Sequence, residues 1–154
     1  MVTLALDASE LVAVLRARSS KDRHGYDEAA MREMTRVVSV IVVHELTRGA
    51  ASSARPAKRR AQLDRLLSEL TIEDFTVDDA QAAGELSARL RSSGTPIGDI
   101  DTLIAGQALA RGWTMVTRNV KHFGRVEGLP LIDWSVSAEP LSVEAIAARV
   151  GEAR

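Results

Sequence analysis

The 154-residue chain has a net charge of −1, 45% hydrophobic residues, 3% aromatic residues and no cysteine. That length suits one domain rather than two, and the apolar share excludes wholesale disorder, so the core must be mostly Ala, Val, Leu and Ile. The missing cysteines exclude a disulfide framework, a thiolate metal site and a cysteine nucleophile; a charge near zero excludes holding nucleic acid by bulk positive charge.

Val2 to Leu6 is an apolar run ending at Asp7, which predicts a buried first strand. Leu11, Val12, Val14 and Leu15 recur at helical spacing, so a helix follows over Ser9 to Arg18. Ser19 to Arg36 is polar and predicts a loop with a helical turn around Glu28 to Met34. Val37 to Val43 is β-branched, yet Ser39 is a good N-cap, so the expectation is a two- or three-residue strand feeding a helix through Glu45 and Leu46. Gly49 to Pro56 predicts a loop, and Ala57 to Leu70 an amphipathic helix with Leu63, Leu66, Leu67 and Leu70 on one face.

Ile72 to Val77 predicts a third strand. Asp78 is the expected cap of a helix running to about Ser92, stopped by Gly94. After the Pro96–Gly98 loop, Asp99 to Arg111 predicts an apolar helix ended by Gly112. Thr114 to Thr117 and Pro130 to Asp133 read as further strands, and Leu141 to Val150 as an amphipathic helix capped by Ser142. Strands alternating with helices predict an α/β fold with a parallel sheet flanked by helices. No apolar run approaches the roughly 18–20 residues that cross a bilayer, and no basic segment precedes an apolar one at the start. The expected location is therefore cytoplasmic, with no membrane partner.

Ligands in open parallel sheets gather at the carboxyl ends of the strands. Asp7 sits at that end of the first strand, where Glu10 three residues on also gives it the spacing of a capping box. Asp101 shares a helical face with Ile104, Ala105 and Ala108, and no Lys or Arg lies within a turn of it. An unpaired carboxylate there costs several kcal/mol unless something compensates. Glu45 follows the run Val40 to Val43, with Arg48 as a possible i+3 partner.

Asp99 lies two residues before Asp101, roughly 200° away on a helix. Its expected job is the N-cap, with metal contact a secondary one. Thr117, Arg118 and Asn119 follow a strand end; Thr117 offers a hydroxyl and Asn119 a carbonyl oxygen. Lys58, Arg59 and Arg60 form a basic run, ordinarily a solvated face but also the best local candidate for phosphate contact. His44 and His122 lack metal-ligand spacing and are expected to be ordinary surface or core histidines. A site of clustered carboxylates suits Mg²⁺ or Mn²⁺.

The segments Leu6-Asp7-Ala8-Ser9, Ser39 through His44-Glu45-Leu46, Ile97-Gly98-Asp99-Ile100-Asp101-Thr102-Leu103-Ile104-Ala105 and Val116-Thr117-Arg118-Asn119 followed by Phe123 together resemble the PIN-domain family. Within it, the chain is similar to the VapC-type toxins of bacterial toxin–antitoxin systems. The order and spacing match up to about Trp134. The resemblance implies a three-layer α/β/α nuclease domain over residues 1–136, with 137–154 a helical tail. It implies an endoribonuclease using one or two Mg²⁺ or Mn²⁺ ions, a homodimer, and a small VapB-like antitoxin that blocks the site. By motif position Asp7, Glu45 and Asp101 are the metal-binding acids. The family's fourth acidic position falls on Asn119, which joins the catalytic set as an amide and weighs against a full second metal site. Thr117 and Asp99 are possible accessory ligands, and Arg118, Lys58 and Arg59 candidate RNA contacts.

Other phosphate chemistries fit less well. A haloacid-dehalogenase-type phosphatase wants a second Asp where Ser9 stands, and a receiver domain wants its acceptor after a central strand. A non-catalytic PIN-like module that binds RNA or protein has no reason to tolerate a repulsive acidic cluster. Cleavage of single-stranded DNA stays open at this point.

Overall fold

A computed structural model describes residues 2–151; the first residue of the expected 1–136 domain and the last three of the 137–154 tail lie outside the described residues. Five parallel strands, β1 (Thr3–Leu6), β2 (Thr35–Ser39), β3 (Thr71–Glu73), β4 (Thr114–Val116) and β5 (Leu131–Ile132), form one sheet in the order β3-β2-β1-β4-β5. The helices are α1 (Ala8–Arg16), α2 (His24–Met31), α3 (Val40–Ala51), α4 (Pro56–Leu67), α5 (Val77–Ser92), α6 (Asp99–Arg111), α7 (Val120–Phe123) and α8 (Val143–Gly151).

From β1 the chain moves to β2 and β3 on one side, then returns to β4 and β5 on the other. Right-handed crossovers therefore put the helices that follow β1 and β2 on one face and those that follow β3 and β4 on the opposite face. The contacts agree: α1, α3 and α4 pack together, while α5 to α8 form a second series. The fold is the expected three-layer α/β/α arrangement. Leu4, Ala5, Leu6, Val37, Val38, Met115, Val116 and Leu131 are buried at the centre, which is why the strands read as apolar runs rather than alternating ones.

Several boundaries differ from the sequence expectation. The Ser19–Arg36 segment holds a 3₁₀ turn (Lys21–Arg23) and α2, which lies earlier than Glu28–Met34 because Tyr26 and Ala29 supply its buried side. Tyr26 is pinned there by donating its hydroxyl to Glu69 Oε2 at 2.8 Å. Strand β2 takes in Thr35 and Arg36, and helix α3 starts at Val40 on the Ser39 cap, whose Oγ accepts from Ile41 N at 3.1 Å. β-Branched residues are thus helical from Val40, because the cap and the buried face outweigh propensity. The expected Gly49–Pro56 loop narrows, since α3 runs through Ala51 and Pro56 opens α4 at a position that suits proline.

Strand β3 is shorter than Ile72–Val77, and the cap of α5 is Thr76 rather than Asp78. Thr76 and Asp79 form a reciprocal capping box. Asp79 then serves twice, because Arg111 of α6 donates to both its oxygens, at 3.1 and 2.7 Å. This paired fork holds the Asp79 carboxyl at about 2, below the usual carboxylate range.

Helices α5 and α6 approach closely at Gly106. A Cβ there would run into the Ala83 backbone at Cα and lie 2.7 Å from both its nitrogen and its Cβ. At the far edge of the sheet, Leu141 N donates to Leu131 O at 2.8 Å. Helix α8 beyond it is tied down by Arg149 to the buried Asp133 at 3.0 Å.

Gly106→Ala is expected to lower stability although alanine favours a helix. The propensity gain is about 1 kcal/mol, whereas overpacking against backbone costs about 3 kcal/mol. Urea unfolding should show a net loss of about 2 kcal/mol, and an unchanged midpoint would contradict the packing described.

Candidate active site

The sheet order reverses between β1 and β4, since β1 is followed by a helix on one face and β4 is preceded by one on the other. In open α/β sheets a crevice forms at the carboxyl ends of such a pair. Leu6 pairs with Val116, so Asp7 and Thr117 come next to each other at this end. Asp7 N donates to Val116 O at 3.0 Å, which extends the ladder into the site.

The Asp7 side chain is buried and accepts from the Thr117 hydroxyl at 2.8 Å and the Ser9 hydroxyl at 2.9 Å, both on Oδ2. Thr117 Oγ1 in turn accepts from Asn119 N at 2.9 Å, and Ser9 Oγ from Arg118 N at 3.1 Å. The turn after β4 and the start of α1 are thereby stitched together through two hydroxyls. Asp7 occupies the N-cap position of α1 but makes no capping hydrogen bond. The expected capping box fails because Glu10, only 2% exposed, turns to Arg118 Nε at 2.9 Å. Burial raises the Asp7 pKa; the hydroxyls oppose this, and the charge of Asp101 adds to it.

Asp101 projects from the first turn of α6, whose N-cap is Gly98 at φ +91°. An L side chain is strained there, which explains why the chain uses glycine. Asp99 is therefore not the cap that the sequence suggests. It is the first residue of α6, its side chain is 90% exposed, and its charged neighbour is Arg91 at 3.7 Å. The structure does not bring it to the other acids.

Asp101 Oδ2 accepts from Asn119 Nδ2 at 3.3 Å and meets His122 Nδ1 at 2.8 Å. Asn119 is the N-cap residue of α7 and His122 lies on the same turn, so residues three apart face one carboxylate. Sequence reasoning placed His122 among ordinary surface or core histidines. Its spacing from Asn119 was the available signal. Ser9 was also missed, although it follows Asp7 by two residues on a strand end.

Glu45 reaches the site from the second turn of α3. Its Oε1 is buried with no hydrogen-bond partner among the described residues, and no ion pair joins it to Arg48. Burial pushes its carboxyl up to about 7, helped by the charges of Asp7 and Asp101 and opposed by Arg48. Three carboxylates from β1, α3 and α6 thus share one electrostatic field. Among the described residues, no three His, Asp or Glu side chains converge closely enough to hold a metal ion as they stand.

Arg118 is committed to Glu10 through Nε. Arg59 donates to Gln62 at 3.1 Å, Arg60 pairs with Asp64 at 2.9 Å, and Lys58 is exposed. An open groove of about 360 Å³ runs between α1, α3 and α4 beside Glu45; Val12, Leu15 and Leu46 floor it and Arg16, Arg48 and Arg59 edge it. No helix among the described residues is long and apolar enough to cross a membrane.

The sequence model of the PIN domain matches residues 4–129. The chain is 30% identical to the tRNA(fMet)-specific endonuclease VapC of Salmonella typhimurium over 134 residues, 87% of this chain and 99% of that protein. It is 37% identical to Ribonuclease VapC2 of Rickettsia felis over 107 residues, 70% of this chain and 80% of that protein. Among solved structures, DNA-bound VapBC from Salmonella typhimurium matches at TM-score 0.79 and 30% identity, covering 87% of this chain and 99% of that one. VapBC2 from Rickettsia felis, bound to a DNA fragment from its promoter, matches at TM-score 0.80 and 32% identity over 87% and 99%.

The raised Glu45 pKa sets a direction for pH dependence without metal. The folded state keeps a proton that the unfolded chain releases near 4.5, so the group's contribution is full below that pH and is lost as pH rises through about 7. In EDTA at pH 8, Glu45→Gln should be more stable than the wild type by about 1–2 kcal/mol after solvent screening. Thermal melts from pH 4 to 8 check this; a flat difference across the series would contradict the coupling.

Proposed function

Because the chain belongs to the PIN-domain family, in which its curated relatives are VapC ribonucleases, we propose that it is a divalent-metal-dependent endoribonuclease and the toxin of a toxin–antitoxin pair. The observation that carries this reading is the shared field of Asp7, Glu45 and Asp101 at the β1–β4 switch point, with a buried Glu45 oxygen that has no partner. Hard oxygen donors of this kind suit Mg²⁺ or Mn²⁺. The present spacing of the acids requires their side chains to draw together on binding.

When bound, the ion supplies Lewis acidity towards a water and towards phosphoryl oxygens, and positive charge that relieves the repulsion. Asp7 would hold it with an orientation set by Ser9 and Thr117, whose hydrogen bonds both fall on Oδ2. Asp101 on the first turn of α6 and Glu45 on α3 would complete the acidic set. Asn119 contributes a neutral amide, so a single well-held ion suits the chain better than two. Arg118 keeps its terminal guanidinium nitrogens free of hydrogen bonds among the described residues while Glu10 fixes Nε. That leaves it able to hold an RNA phosphate at the rim, with Lys58 and Arg59 serving substrate farther along α4.

The Salmonella typhimurium and Rickettsia felis structures are VapBC complexes, and this chain is proposed to pair likewise with a VapB-like antitoxin. The apolar groove edged by arginines gives an antitoxin segment a place to lie across the approach to Glu45. A homodimer acting in the cytoplasm completes the proposal.

Cleavage of total RNA with Mg²⁺ or Mn²⁺, and its loss in EDTA, is the direct test; equal cleavage of single-stranded DNA would redefine the substrate. Asp101→Asn should abolish the activity while leaving the metal-free melting temperature unchanged or higher, and full activity in that variant would sink the mechanism. Mg²⁺ or Mn²⁺ should raise the melting temperature of the wild type much more than that of Asp7→Asn. Equal shifts would remove Asp7 from the site.

A further inference from the structure

We propose that His122 is a positioning residue whose Nδ1–H fixes the orientation of Asp101 for metal binding. This rests on the reading of Asp101 as a metal ligand. The two hydrogen bonds to the Asp101 side chain, from His122 at 2.8 Å and Asn119 at 3.3 Å, both fall on Oδ2. Oδ1 receives none among the described residues. The carboxylate therefore has one oxygen tied and the other free of hydrogen bonds among the described residues, so it can pivot on Oδ2 and still present Oδ1. Hydrogen-bonded partners behind a ligating carboxylate orient it and strengthen binding.

The contact asks little of the histidine's chemistry. A carboxylate only accepts, so Nδ1 must carry the hydrogen; the neutral Nδ1–H tautomer and the imidazolium both do. Either form makes the bond. Nor is His122 placed by filling the core, since its side chain is 41% exposed against 20% for Asp101.

What places it is the helix beneath. Val120 and Phe123 of α7 are fully buried, so the single turn cannot rotate without exposing one of them. At its end Gly124 fits against α8, where an added Cβ would lie 2.8 Å from methyl groups of both Ile146 and Val150. Helix α8 is itself tied to Asp133 by Arg149. The imidazole thus stands on a turn held from below and from the side.

The test separates the two ring nitrogens. An asparagine amide can put a donor where Nδ1 lies, and a glutamine amide one where Nε2 lies. Mn²⁺ alone is titrated into each full-length protein, with free Mn²⁺ followed by its electron paramagnetic resonance signal. His122→Asn should bind within about threefold of the wild type, whereas His122→Gln and His122→Ala should bind about 10-fold or more weakly. Melting in EDTA should be close to wild type for all three, since the side chain is substantially exposed. Wild-type Mn²⁺ affinity in His122→Ala overturns the proposal. So does rescue by Gln without rescue by Asn, which assigns the work to Nε2, or equal weakening in all three variants. If the variants match a wild type that binds Mn²⁺ and cuts RNA, only the role of His122 falls; a wild type that does neither removes the metal-site reading with it.

Discussion

The crowding of three carboxylates in one crevice, Asp7 buried and Glu45 and Asp101 half-buried, is the constraint around which the site is arranged. Burial pushes Glu45 towards its protonated form, and the charges of Asp7 and Asp101 push the same way. Left alone, such a group would open the crevice to water or shed its charges. Each of the surrounding elements answers that pressure differently. Hydroxyls from Ser9 and Thr117 bond to Asp7, an amide and an imidazole to Asp101, and among the described residues neither acid has a lysine or arginine as its hydrogen-bond partner. A fixed arginine would compete with any cation for the same oxygens. Two arginines on this side pair with other acids: Arg118 through Nε with Glu10, and Arg149 with Asp133.

The sheet supplies the geometry that makes this arrangement possible. Parallel strands send all their carboxyl ends to one rim, and the reversal between β1 and β4 separates the loops there. Helix α6 is indexed to the other face by the close approach of Gly106 to Ala83 and by the Arg111 fork on Asp79. Neither contact touches the site. Both hold α6, the helix that carries Asp101, against α5.

Much of this was legible in the chain. The apolar run into Asp7, the Ser39 cap ahead of Glu45 and the apolar face around Asp101 all announce where they stand, because burial and helical period are local signals. The family resemblance carried Glu45, which had no physical mark of its own in sequence. Partners that meet only through the fold were harder. Glu10 looked like half of a capping box until Arg118, far along the chain, claimed it; Asp99 looked like a cap until Gly98 took the positive φ that the turn needs. His122 is a partner of the same kind: its three-residue spacing from Asn119 is local, but only the fold brings the pair to Asp101. Thr76 rather than Asp78 caps α5 through a local box with Asp79; what local rules do not show is that Asp79 also holds Arg111.

The hydrogen bond from Leu141 to the carbonyl of Leu131 also bears on how chains meet one another. A strand at the margin of a sheet can accept another chain's backbone, and β5 is such a strand. Leu141 occupies one of its acceptors, and a strand of two residues offers a stranger little else to pair with.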